Sequence, residues 1–119
     1  MKAQKISKAE IKRPSVSGMV EDVLGCKWTL TVLRLVRQGV NRPGAMERSV
    51  DGLTTKVLNE RLRKLVRFGI LRRVAYPEIP PRVEYNLTPF GEKFIGVLRA
   101  IEELEDEIEQ HRAREQAAD

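Results

Sequence analysis

Apolar residues along this chain recur at two different periods, and the change of period divides the sequence. In "VSGMVEDVLG", Val16, Met19, Val20, Val23 and Leu24 fall at helical spacing, and Gly25 is a natural stop. "KWTLTVLRLVRQG" is apolar on most sides and closes at Gly39, which suits a helix in the middle of a core. The short segment "RPGAMERSV" has Pro43 near a helix start, with Asp51-Gly52 as a turn behind it. "LTTKVLNERLRKLVRFG" then sets Leu58, Leu62, Leu65 and Val66 in one stripe. Thr54 or Thr55 can cap its start, and Gly69 sits where a C-cap glycine belongs. The period next falls to two: "ILRRVAY" and "RVEYNLT" read as strands joined by "PEIPP". Thr88 as N-cap and Pro89 at the first helical position open a last, long helix over about residues 89–112. Phe90, Phe94, Val97, Leu98, Ile101, Leu104 and Ile108 line one of its sides.

Pro77, Pro80 and Pro81 press against the second strand, where proline could not serve a sheet interior. They fit the tip of a hairpin that stands off the body, stiffening a loop that would otherwise lose entropy on binding. The order is helix, helix, short helix, helix, hairpin, long helix. That order predicts a mainly α fold with a small two-stranded hairpin, a winged helix-turn-helix with a long C-terminal dimerisation helix. Residues 1–15 form a basic arm and residues 16–119 one domain.

The charge distribution changes the picture more than the composition does. Residues 102–119 hold eight acidic and two basic side chains, a net of −6, while the rest of the chain stands at +11. A basic body favours polyanions, nucleic acid first and anionic membrane second. No apolar run reaches the roughly 18–20 residues needed to cross a bilayer. The basic arm lacks an apolar core behind it and an amphipathic helix of membrane-binding length. One cysteine excludes an internal disulfide, and one histidine leaves no metal cluster. With that Cys and His far apart and no Gly-rich phosphate loop, no catalytic constellation, cofactor or metal is expected. A cytoplasmic protein is.

The basic residues concentrate on one helix face. With Leu58, Leu62 and Leu65 inward, 100° per residue sets Lys56, Glu60, Arg63 and Arg67 opposite them, flanked by Asn59 and Lys64. A helix with this face can lie in a major groove. Asn59 suits adenine, Lys56 or Arg63 suit guanine, and the amides near Thr54 and Thr55 can meet a phosphate. The plainer reading is a set of surface ion pairs, which contribute little. Arg61 points closer to the core edge. The hairpin adds Arg72, Arg73 and Arg82. Arg82 is the candidate for a phosphate or minor-groove contact; pairing with Glu84 or Glu78 is its structural alternative. Arg42, ahead of the short helix, is a further phosphate candidate.

"LGCKWTLTVLRLV", "LTTKVLNERLRKLVRFGIL" and "YPEIPPRVEYNLTPFGEKF" together resemble the three signature blocks of the HxlR-type winged-helix transcriptional regulators, in that family's order and spacing, over residues 15–101. The resemblance implies a prokaryotic, nucleoid-associated homodimer that regulates transcription by binding DNA. Many members carry a cysteine followed by proline just ahead of the first helix, and in some it senses oxidants or electrophiles. Here that position holds Ser15 and Val16. Cys26, where members usually have a second glycine, is the remaining redox candidate; a small apolar packing role is the alternative.

The long helix carries more apolar stripe than a monomer can use. Phe94, Leu98, Ile101, Leu104 and Ile108 are expected to meet a second copy, helped by Met19 and Val20 of the first helix. Such a dimer presents two reading helices about one DNA turn apart, so its operator is expected to be an inverted repeat. Trp28 is expected in the core and His111 in solvent. A small-molecule inducer is compatible with the family, though no polar constellation demands one. The competing reading is a winged-helix protein–protein adaptor, which would show an apolar stripe in place of the basic one.

Overall fold

Side-chain caps and glycines set the ends of several of the helices. The computed structural model describes residues 14–118, so most of the basic arm, residues 1–13, lies outside the described residues. Helix α1 (Val16–Gly25) begins at Ser15, whose Oγ accepts from the Gly18 amide at 3.1 Å. Helices α2 (Lys27–Arg37) and α3 (Pro43–Ser49) follow. Helix α4 (Thr55–Arg67) is capped by Thr54, which accepts from the Val57 amide at 3.2 Å. Gly69, at φ 78°, closes α4: its amide donates to Val66 at 2.9 Å and the Ile70 amide to Leu65 at 3.0 Å.

Strands β1 (Leu71–Tyr76) and β2 (Arg82–Leu87) pair antiparallel, Leu71 opposite Leu87 and Tyr76 opposite Arg82, leaving residues 77–81 as the tip. Side chains alternate between strand faces, so Tyr76, Arg82, Glu84 and Asn86 share one. That face turns toward the loop between α2 and α3. The Tyr85 amide donates to the Asn41 carbonyl at 2.9 Å, and Asn41 Nδ2 donates to Asn86 Oδ1 at 2.9 Å. These two bonds help tie β2 to the body.

Helix α5 (Pro89–Ala118) runs for 30 residues, six beyond the expected end at 112. Its last turns are rich in Glu, Gln, Arg and Ala, all good helix formers. The first half packs on the body, whereas residues 103–118 are exposed throughout. At its start Thr88 acts as a fastener: its hydroxyl donates to the Gly69 carbonyl at 2.5 Å and accepts from the Gly91 amide at 2.9 Å. Its own amide donates to the Ile70 carbonyl at 3.1 Å. The core gathers Val23, Val32, Leu33, Met46, Leu58, Leu62, Leu65, Ile70, Leu71, Phe94 and Leu98, with Trp28 packed at its edge. Helix, helix, short helix, helix, two-stranded wing and long helix form a winged helix-turn-helix.

Candidate nucleic-acid interface

Burial decides which way α4 faces. Leu58, Leu62 and Leu65 are completely buried, so the opposite side of the helix must be solvent. Lys56, Asn59, Glu60, Arg63 and Arg67 are all exposed there. Lys56, Arg63 and Arg67 enter no ion pair with any described residue. Their charges are free to meet a polyanion at no cost in broken contacts. Lys64, by contrast, is half-buried and held by Asp22 of α1 at 3.0 Å, so it fastens α4 to the body. Arg61 is also partly buried, with Nε unpartnered. Thr55 donates its hydroxyl to the Glu47 carboxylate of α3, joining the two helices of the motif. The Thr54 hydroxyl serves as the cap.

The wing arginines behave differently from those of α4. Arg82 lies over the Tyr76 ring, 4.0 Å from its centroid. It also pairs with Glu78 at 3.2 Å and stands 3.9 Å from Glu84. Arg42 donates to the same Glu84 carboxylate at 3.3 Å. Both phosphate candidates are thus already engaged, because the strand pleat sets Arg82 and Glu84 on the face that looks at Arg42. A DNA contact by either would first have to displace a carboxylate. Arg72 and Arg73 of β1 remain exposed and unpaired among the described residues. Sequence reasoning overlooked Arg48 of α3, which is exposed and lines a cleft between α3 and the wing tip. Only the return of the wing onto α3 singles it out.

The expected dimerisation set divides. Phe94, Leu98 and Met19 are 2%, 1% and 4% exposed; they fill the protomer's own core and are unavailable to a partner. The reason is geometric: one helical stripe serves the body along its first turns and solvent beyond them. Val20 and Ile101 are half-buried, while Leu104 and Ile108 are 59% and 53% exposed. Val16, Leu24, Phe90 and Val97 join them as exposed large apolar side chains.

Cys26 sits between α1 and α2, partly exposed, and forms no capping hydrogen bond of normal geometry. Partial burial pushes its thiol up, but the Thr29 hydroxyl and amide, the Arg61 guanidinium and the Trp28 amide outweigh that effect. They hold the thiol below its ordinary value. His111 is exposed and pairs with Glu115 at 3.1 Å. Among the described residues no group of three or more His, Cys, Asp or Glu side chains could hold a metal ion. No helix among them is long and apolar enough to cross a membrane.

Known proteins share both sequence and fold with this chain. The defining pattern of the HxlR-like helix-turn-helix family matches residues 23–113. An HTH-type transcriptional regulator from Synechocystis is 46% identical over 85 residues, covering 71% of this chain and 63% of that protein. The HTH-type regulator YtcD of Bacillus subtilis is 34% identical over 77 residues, 65% of this chain and 61% of that one. The matched stretch therefore spans less than two thirds of these relatives' length. A crystal structure of a MarR-family transcriptional regulator from Enterococcus faecalis superposes with a TM-score of 0.75 at 31% identity, covering 96% of this chain and 99% of that one. These relatives are transcriptional regulators and not enzymes, and this chain belongs to the HxlR-like helix-turn-helix family of winged-helix transcriptional regulators.

Proposed function

We propose that this regulator is a homodimer that binds duplex DNA sequence-specifically, with α4 in the major groove and the wing on the neighbouring backbone or minor groove. One observation carries the reading: the outward side of α4 holds three exposed cations without ion-pair partners beside an exposed Asn59, opposite a fully buried leucine stripe. Lys56, Asn59 and Arg63, in the first turns, are the base-reading residues, since a recognition helix meets base edges near its N-terminus. Arg67 and the amides behind Thr54 and Thr55 hold phosphates. Arg42 serves as a secondary phosphate contact, reached by exchanging Glu84 for DNA, whereas Arg82 keeps Glu78 and braces the wing tip against the DNA.

The dimer reading rests on Leu104 and Ile108. Both lie on a helix end exposed from residue 103 to 118, and ordering such residues is repaid when a partner helix buries them. Val16, Val20, Leu24, Phe90, Val97 and Ile101 extend the same contact. The two-fold symmetry of such a dimer calls for an inverted-repeat operator. Residues 16–119 act as one unit in this reading, in the cytoplasm and on the nucleoid. A protein–protein adaptor is disfavoured because the outward side of α4 offers no large apolar residue.

The test is a gel-shift titration on DNA upstream of the protein's own gene, with excess random competitor and at two salt concentrations. A complex that survives competitor supports the reading. Binding lost to competitor and falling steeply with salt at every sequence tried would reduce the basic face to phosphate attraction.

A further inference from the structure

The tip of the wing presents an apolar side chain. Ile79 is 101% exposed, more than any other large hydrophobic residue described. It stands in the five-residue loop 77–81, of which Pro77, Pro80 and Pro81 are three members. Proline fixes φ and isoleucine is stiff at χ1, so the loop holds this side chain in a narrow range of positions. The base of the loop is fastened by the Glu78–Arg82 pair and by Arg82 lying over Tyr76. That pair also neutralises Glu78, the acidic neighbour that would otherwise repel a polyanion. A rigid apolar side chain with nothing to bury against gains nothing within the protomer.

Its surroundings identify the partner. Across a cleft from the loop lie Arg42 and Arg48 of the α3 region, and Arg48 has no carboxylate partner among the described residues. The far end of α3 is joined to the first turn of α4 through Glu47 and Thr55. The wing tip thus lies along one side of this seven-residue helix and the first turn of α4 meets another, so that one helix diameter of about 10 Å, on the scale of B-DNA groove widths, stands between them.

We infer that Ile79 is a minor-groove wedge: its side chain enters between two base pairs beside the α4 site, while Arg48 holds the phosphate strand that separates the two grooves. The inference rests on the DNA-reading proposal and adds a specificity element to it. Aliphatic wedges of this kind partly unstack a base step and kink the duplex. Pyrimidine–purine steps unstack most easily. Ile79 therefore selects such a step at a fixed distance from the sequence read by α4, without a hydrogen bond to either base. Arg82, held by two carboxylates, is left to brace the tip.

In vitro selection from a randomised duplex library tests this, using the full chain, Ile79→Ala and Ile79→Leu. Wild type is expected to enrich an inverted repeat flanked at constant spacing by a pyrimidine–purine step. Ile79→Ala is expected to enrich the same repeat without the flanking step, to bind the wild-type site on the order of ten-fold more weakly, and to lose the DNA bend seen by circular-permutation gels. Ile79→Leu restores step and bend. If Ile79→Ala keeps the step, the bend and the affinity, the wedge is wrong and the tip meets something other than DNA. If wild type enriches no sequence, the DNA-reading proposal itself falls, and the wedge with it.

Discussion

The backbone of Gly91 in α5 lies against the carbonyl of Ile70, so close that a β-carbon at residue 91 would collide with that oxygen. The oxygen cannot retreat, because it accepts the Thr88 amide. Glycine here lets α5 sit directly on the corner where α4 turns into the wing.

Gly91→Ala is accordingly expected to destabilise the fold by about 3 kcal/mol, the upper end for overpacking, and to lower Tm by roughly 10 °C or more. Gly96→Ala is the control: nothing lies within 4 Å of its added carbon, and alanine is the better helix former by about 1 kcal/mol. Thermal melts of the two variants should move in opposite directions.

Arg63→Ala should weaken specific binding more than binding to random DNA, by about 1–3 kcal/mol if it reads a base. Competition titrations on operator and random duplex measure both losses. Equal losses would make Arg63 a phosphate contact. Lys64→Ala is expected to act instead on stability, since Lys64 is spent on Asp22.

Leu104→Glu combined with Ile108→Glu should give monomers by light scattering with the far-ultraviolet spectrum of the helix body retained. Two added carboxylates on a face buried in the dimer cannot be solvated there. A variant that remains dimeric would move the interface to the Val16, Leu24 and Phe90 end of the protomer.

Cys26 should alkylate along a pH profile whose midpoint lies below that of a free cysteine, and Arg61→Gln should move the midpoint up. The sign follows from the lowered folded-state value. The folded protein gives up this proton more readily than the unfolded chain does. The linked stability is therefore present above the unfolded thiol's value and is lost as pH falls through the folded one. Iodoacetamide kinetics across neutral to alkaline pH would read it; a midpoint at or above the free-cysteine value would rule it out.

Local signals carried most of the fold. Thr54, Gly69, Thr88 and Pro89 act on backbone within a few residues, and the leucine stripe of α4 fixes its own orientation. What sequence could not supply were relationships across distance. Glu84 engages Arg42 from 42 positions away, and nothing near either residue announces it. Phe94 and Leu104 belong to one uninterrupted stripe, yet the body ends between them, so one is core and the other is exposed. Arg48 became a candidate only when the wing was seen to fold back over α3.

The acidic end of α5 projects from the body by roughly 24 Å, the length of its 16 exposed helical residues at about 1.5 Å each. Opposite charges held that far apart give each protomer a permanent electric moment. In the field of a duplex such a moment would exert a torque, so on the DNA-binding reading proposed above the protein would turn its cationic body toward DNA before the two surfaces touch. Orientation would then be partly settled during approach, which raises the fraction of productive collisions and makes the association rate the quantity most sensitive to added salt.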